Sequence, residues 1–426
     1  MKTILYPNKK GWLKLRQRPR IQVKELNTLV NQVFEKINVE GDKAVLNYTK
    51  QFDKVNLKSL QVNEETIKSA SQSISLELKQ AIKLAKRNVE KFHQAQTELS
   101  KKIETTEGVV CWRESRPIEK VGIYIPGGTA PLFSTVLMLG VPAKIAGCKE
   151  IILCTPPNER GEISPAILYT ASLIGITKIF SVGGIQAIAA MTFGTESIAK
   201  VDKVFGPGNQ YVTAAKQTAQ NFGVAIDLPA GPSEVLVIAN NTCKPAFVAA
   251  DLLSQAEHGA DSQVILLSDN KTIIGEVLVE LKTQVEKLPR KEIAEAALKN
   301  SKAIVLKTII DCIAFSNLYA PEHLILAIED SQRLIPKISN AGSVFLGNYS
   351  CESAGDYASG TNHTLPTNGY ARNYSGVSLD SFVKKITFQQ LSKQGIKNIG
   401  PAIEIMAETE QLFAHKNAVT VRLKNL

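Results

Sequence analysis

The order of apolar and polar positions divides the chain into distinct textures. From residue 23 to about 106 the pattern is helical and charged. Ala81, Ile82, Ala85, Val89 and Phe92 recur on one face at helical spacing, with Lys83, Lys86, Arg87 and Lys91 mostly elsewhere. From Val121 onward, short β-rich runs alternate with Gly/Pro turns and apolar helices, at 121–125, 150–154, 178–182 and 201–205. A second series follows Asp227-Leu-Pro-Ala-Gly-Pro-Ser-Glu234, at 235–238, 263–267, 303–306, 323–328 and 343–346. Strands alternating with helices predict parallel sheets, hence an α/β fold of two similar lobes with a cleft between them. The end of the chain reads as strand and helix fragments finishing in Asn417-Ala-Val-Thr-Val-Arg422.

Composition narrows the class. With 426 residues, 44% hydrophobic, the chain can bury a large interior divided among two to four domains or lobes. No apolar run is long enough to span a bilayer, so no membrane partner is expected. The formal net charge is +10, but seven basic residues and no acidic one fall between Met1 and Arg20, and the remainder nearly balances. Zinc-finger spacing, an RNP pattern and an aromatic-interleaved basic stripe are all missing from the sequence, which argues against nucleic acid as a partner. The arm at 1–20 is expected to dock on another lobe or on a partner subunit, while net positive charge attracts anionic dinucleotides. It lacks the apolar stretch of a secretion signal and is too poor in serine for a transit peptide. Six scattered cysteines with no C-x-x-C pair read as reduced thiols, and a cytoplasmic location is expected.

Two kinds of segment carry candidate chemistry. Glycine turns at Pro126-Gly-Gly128, Gly183-Gly184 and Gly206-Pro-Gly-Asn209 follow expected strands and could bring backbone N–H groups to an anion, although neither G-x-G-x-x-G nor a Walker A sequence is present. Each could equally be a tight turn without a ligand. Four of the five histidines lie in polar clusters: Gln255-Ala-Glu-His258, Glu322-His323, Asp356 to His363, and Glu410 to His415. Gln255 and His258 are three apart in a helical stretch and could offer an oxygen and a nitrogen to one ion, with Asp356 and His415 completing a mixed set. A set without thiolates suits a catalytic metal better than a closed structural zinc. A surface Gln-x-x-His pair is the plainer alternative. Glu322-His323 could activate water and relay protons, or be a salt-bridged pair. His93, the isolated histidine, belongs with the helical scaffold.

Taken together, Tyr124-Ile-Pro-Gly-Gly128, Phe205-Gly-Pro-Gly-Asn209, Asp227 to Ser233, Ser254-Gln-Ala-Glu-His-Gly259, Ala320-Pro-Glu-His323, Ser353-Ala-Gly-Asp356, Gly360-Thr-Asn-His363-Thr-Leu-Pro366 and Ala414-His-Lys-Asn-Ala-Val419 resemble the histidinol dehydrogenase family, in family order over nearly the whole chain. The resemblance implies zinc-dependent oxidation of L-histidinol to L-histidine through the aldehyde, with two NAD and one Zn2+ per subunit. It implies Gln255, His258, Asp356 and His415 as zinc ligands and Glu322 and His323 as the acid/base pair. Ser233, His363 and Glu410 would contact substrate beside the ligands and His323. Tyr124, Gln186 and Asn209 would contact NAD. It also implies two incomplete Rossmann-like lobes of aldehyde-dehydrogenase-like architecture with helical extensions, and a homodimer in which His415 and Glu410 could serve the partner's site. The expected division is a basic arm at 1–20, a larger lobe from 21–123 plus 235–377, a NAD-binding lobe at 124–234, and a C-terminal extension at 378–426. Rival readings are a related NAD-linked dehydrogenase of another small polar alcohol, a metal-dependent hydrolase, and a non-enzymatic binding module.

Overall fold

The protein is described by a computed structural model covering residues 1–18, 24–127, 131–229 and 231–426. In chain order its strands are β1 (Lys2–Leu5), β2 (Ile103–Thr106), β3 (Val109–Pro117), β4 (Lys120–Tyr124), β5 (Glu150–Thr155), β6 (Lys178–Ser181), β7 (Lys203–Phe205), β8 (Ala225–Ile226), β9 (Glu234–Ala239), β10 (Gln263–Ser268), β11 (Lys302–Val305), β12 (His323–Ala327), β13 (Ser343–Leu346) and β14 (Val383–Leu391). Two parallel sheets dominate. One has the order β6-β5-β4-β7-β8 and the other β1-β11-β10-β9-β12-β13, while β14-β3-β2 form a separate antiparallel sheet. The mixed α/β class with parallel sheets therefore stands.

The central strands β9, β10 and β12 are buried at every position, as strands covered by helices on both faces must be. Their runs of Val, Ile and Leu pack against the apolar faces of the helices Pro245–Ala256 and Lys271–Val285 on one side and Ile309–Tyr319 on the other. In the smaller sheet, Ile123, Leu153 and Ile179 lie under the helices Phe133–Ala146 and Pro165–Leu173.

Several local expectations need correction. The buried stripe of the helix Leu76–Gln94 is Ile82, Ala85, Val89 and His93, whereas Ala81 and Phe92 face solvent. His93 belongs to the scaffold: its Nδ1–H donates to the Val89 carbonyl at 2.9 Å. Strand structure is present well before Val121, in β1 and again in β2 and β3, the last of which finds its antiparallel partner in the distant β14. The string around Val-Thr-Val is helical, within Phe413–Lys424, where it packs on the helix Lys393–Thr409 rather than joining a sheet. The helices between Lys24 and Gln94 touch both lobes: Val30, Val33 and Phe34 meet Ile185, Ile188 and Val212 in one core of the smaller sheet, while Asn88 donates to the Ala358 carbonyl at 2.8 Å and His93 meets Asn362.

The basic arm docks within its own chain. Lys2–Leu5 runs parallel to β11 at the edge of the larger sheet, and Trp12 is buried edge-on against Phe315, with ring centroids 5.6 Å apart. Pro19 and Arg20, the last two residues of that arm, lie outside the described residues, as do Val23, where the helical texture was expected to begin, and Gly128 of the first glycine turn.

Candidate active site

The two sheets face a common cleft of about 1960 Å³ that is lined by Tyr124, Gln186, Asn209, Ser233 and His258, among others. The smaller sheet contributes the turns after its strands. Tyr124 ends β4, and its buried hydroxyl accepts from the Gly184 N–H at 3.1 Å. Gln186 is buried, with Nε2 donating to Asp53 at 3.2 Å and Oε1 left without a hydrogen-bond partner. Asn209 caps the helix Gln210–Ala219 by accepting from the N–H groups of Tyr211 (3.0 Å) and Val212 (3.2 Å). A Cβ on Gly206 would stand 2.1 Å from the Tyr124 carbonyl, at φ +129°, so only glycine fits this turn. Its N–H donates to Asp227 at 2.7 Å, and its carbonyl accepts from Lys216 at 2.8 Å. Asp227 and Lys216 form a buried ion pair, which locks the loop. The result is a rigid backbone cradle beside a helix N-terminus, suited to an anionic ligand.

The larger sheet contributes side chains instead. Glu322 and His323 sit where the helix Ile309–Tyr319, closed by Ala320 at φ +55°, turns into β12. Both are buried. Glu322 Oε2 accepts from the Glu234 N–H at 2.9 Å, and His323 Nδ1–H donates to the Glu234 carbonyl at 3.2 Å. That second bond requires a proton on Nδ1 and leaves Nε2 buried without a hydrogen-bond partner, 3.6 Å from Asp356 Oδ1. Gln255, at the end of the helix Pro245–Ala256, fills the space beside the pair. Its amide contacts Glu322 Oε2 (3.4 Å) and His323 Nδ1 (3.3 Å) on one side. With the amide turned to satisfy both of its ends, it donates to Glu352 at 2.6 Å.

Sequence reasoning passed over Glu352. It is buried, and its carboxylate lies within 4.8 Å of the ligand atoms of His258 and Asp356. Its position four residues before Asp356, on one face of the helix Glu352–Tyr357, was the available signal. Asp53, beneath Gln186, was also missed, and nothing in its local sequence marks it.

Electrostatics set this cluster apart. Burial pushes Glu322 up to about 8, and it pushes Glu352 up to about 8 as well. Burial alone would depress His323, but Glu322, Glu352 and Asp356 outweigh it and raise the imidazole to about 10. Burial alone would raise Asp356, but His323, His363 and His258 together outweigh it and hold the carboxyl below its usual value. His258 keeps a face open to the cleft yet is lowered by desolvation, with Asp356 opposing. Several carboxyls thus crowd two histidines and hold protons that a divalent cation could replace. The donors are nitrogen and oxygen without thiolate, in keeping with a catalytic metal.

Not every expected residue converges. Ser233 precedes β9 at the cleft wall. His363 Nδ1–H donates to the Asp356 carbonyl at 2.9 Å, while Nε2 faces Thr135 Oγ1 at 3.0 Å, joining the larger lobe to a helix of the smaller one. Glu410 and His415 are exposed on the C-terminal helical pair, and His415 offers no atom to the cluster of His258, Glu352 and Asp356 in the same chain.

A two-lobed α/β fold whose cleft joins an anion cradle to a buried carboxylate–histidine cluster defines the class: an enzyme acting on a small molecule. The family model for histidinol dehydrogenase matches residues 16–423, and the chain belongs to that family. Over all 426 residues it is 60% identical to the histidinol dehydrogenase of Bacteroides thetaiotaomicron, with both chains fully covered. It is 52% identical to that of Pasteurella multocida over 402 residues, or 94% of this chain and 93% of the other. The crystal structure of histidinol dehydrogenase from Elizabethkingia anophelis superposes with a TM-score of 0.98 at 66% identity, covering 100% of this chain and 98% of that one. Among the described residues no helix is long and apolar enough to cross a membrane.

Proposed function

We propose that the chain oxidises L-histidinol to L-histidine through the aldehyde, using two NAD and one zinc ion per subunit. The observation that carries this reading is the orientation of His323: Nδ1–H is committed to the Glu234 carbonyl, so Nε2, buried without a hydrogen-bond partner, is the ring nitrogen left for proton transfer once a cation beside it lowers the imidazole. Gln255, His258 and Asp356, with His415 of the partner subunit, would hold the zinc. Bound there, zinc would fix the amino and imidazole nitrogens of histidinol and draw the cluster's raised pKa values down toward neutrality. NAD on the Tyr124, Gln186 and Asn209 side of the cleft would accept a hydride in each oxidation.

The chain's own residues supply the proton transfers. In the first oxidation His323 Nε2 takes the hydroxyl proton as a hydride leaves the carbinol carbon, giving the aldehyde. In the second, Glu322 deprotonates the water that adds to the aldehyde, and His323 takes a proton from the hydrate as the second hydride leaves, giving the carboxylate. Ser233, His363 and Glu410 would contact the substrate.

The exposed position of His415, with Ile405, Met406 and Phe413 exposed on the same helical pair, supports a homodimer in which segment 378–426 completes the partner's site. The direct test incubates zinc-loaded protein with L-histidinol and NAD, and about two NADH per histidinol are expected from the two hydride transfers. Absence of NADH in the loaded enzyme defeats the reading. Mixed dimers of His258→Asn and His415→Asn subunits should recover activity that neither variant shows alone; silent mixed dimers would exclude the shared site.

A further inference from the structure

The Arg18 guanidinium bridges two stretches of backbone beside Glu322 and His323. Its guanidinium stacks 3.8 Å from the Tyr319 ring centroid, and Nη2 donates to the carbonyls of Tyr319 (3.0 Å) and Ala320 (3.3 Å). These are among the free carbonyls at the end of the helix Ile309–Tyr319, where a cation is favoured by the helix dipole. Arg16 and Arg372 both donate to the preceding carbonyl, that of Leu318. Ala320 then adopts φ +55°, a conformation an alanine holds only when its surroundings impose it, and Glu322 and His323 follow two and three residues on.

The other side of the same guanidinium grips Glu234, with Nη2 donating to Oε2 at 2.8 Å and Nε forming a second, shorter bond to Oε1. The backbone of Glu234 is what holds Glu322 and His323, through its N–H and its carbonyl. One planar fork therefore ties together the two stretches of backbone that set the pair. A lysine has the charge but not the fork.

We infer that Arg18, from the N-terminal arm, is a positioning residue for the Glu322–His323 pair, holding the 319–323 turn and the head of β9 in the register that aims His323 Nε2 at the Asp356 carboxylate. This deepens the proposed dehydrogenase reading and rests on it.

The test must separate positioning from folding, because Arg18→Met alone strands a buried carboxylate. The double variant Arg18→Met/Glu234→Met removes both charges and keeps the volume apolar. Arg18→Lys keeps the charge without the fork. Trp12→Ala loosens the same arm through its packing alone. Each is purified, loaded with zinc, and compared with wild type for Tm, zinc content, kcat and KM. In the double variant we expect full zinc content, a KM for histidinol within about threefold and kcat at least tenfold lower; Arg18→Lys falls between it and wild type. Trp12→Ala should lower Tm while leaving kcat per zinc-loaded subunit within twofold. A double variant that is folded, zinc-loaded and within twofold of wild-type kcat overturns the inference, as does a Trp12→Ala variant whose kcat falls equally. If wild type itself makes no NADH from histidinol, the dehydrogenase reading is what fails. A crystal structure of the double variant then decides the inference separately: a displaced 319–323 turn supports it, an unmoved one overturns it.

Discussion

The two lobes answer the same problem, holding a small polar molecule, by opposite means. The smaller lobe presents the carboxyl ends of β4, β6 and β7, where Gly206 and the cap of the helix starting at Gln210 offer backbone N–H groups. That is the usual place for a ligand in an open parallel sheet. The larger lobe presents the amino ends of β9 and β12, where His323 is the first residue of its strand and Glu234 the first of the next. Strand amino ends bring no convergent helix dipole, so this lobe relies on charged side chains crowded until their pKa values shift. Backbone cradles tolerate sequence change and bind charge in general, whereas side-chain clusters specify a particular reaction.

That contrast can be broken or sharpened by experiment. The largest effect should come from the larger lobe's cation: chelation is expected to abolish NADH formation, and His258→Asn to lower zinc affinity by on the order of 10²-fold or more. Full activity in metal-stripped protein would erase the argument from the crowded carboxyls. Next, Glu322→Gln should slow oxidation of the aldehyde by roughly 10²–10⁴-fold while affecting the alcohol step far less, as loss of a general base specific to water predicts. Equal losses in both steps would mean that Glu322 acts through His323. In the smaller lobe a gentler response is expected: Asn209→Ala should raise the KM for NAD about tenfold and cost the helix about 1 kcal/mol of capping, with zinc content untouched. A variant that lost zinc instead would deny the lobes their separate duties.

The smallest effect is on stability. Burial raises Asp53 from 3.8 to about 6, with the bond from Gln186 pulling it partly back. The folded state therefore holds this proton more tightly than the unfolded chain does. The stabilisation is complete below about 3.8 and is lost as pH rises through about 6. Asp53→Asn should accordingly lose less Tm than wild type between acid and pH 8. Superimposable Tm profiles for the two proteins would show that Asp53 is not strained in the fold.

Much of the α/β framework was legible in the chain. Every strand of the two sheets from β4 onward, apart from the two-residue β8, coincides with an expected apolar run, because strands covered on both faces must be continuously hydrophobic. The motif strings around Gln255, Glu322 and Asp356 likewise singled out side chains that the fold brings together. The missed strands share one cause. β1, β3 and β14 depend on partners hundreds of residues away, and their own sequences are too polar to announce a strand. Phe92 was misassigned because helical spacing alone cannot say whether it or its neighbour His93 turns inward.

What the sequence determined by itself was therefore the inventory: which segments are apolar enough to form covered strands, and which residue types are available for proton transfer and metal binding. Which nitrogen of His323 faces Asp356, that Glu352 joins Gln255, His258 and Asp356, that Arg18 grips the 319–323 turn, and that His415 stands apart from its own chain's cluster were decided by the tertiary structure. The physical reason is that hydrogen-bond geometry and pKa depend on distance and burial among groups remote in sequence, and local pattern carries neither.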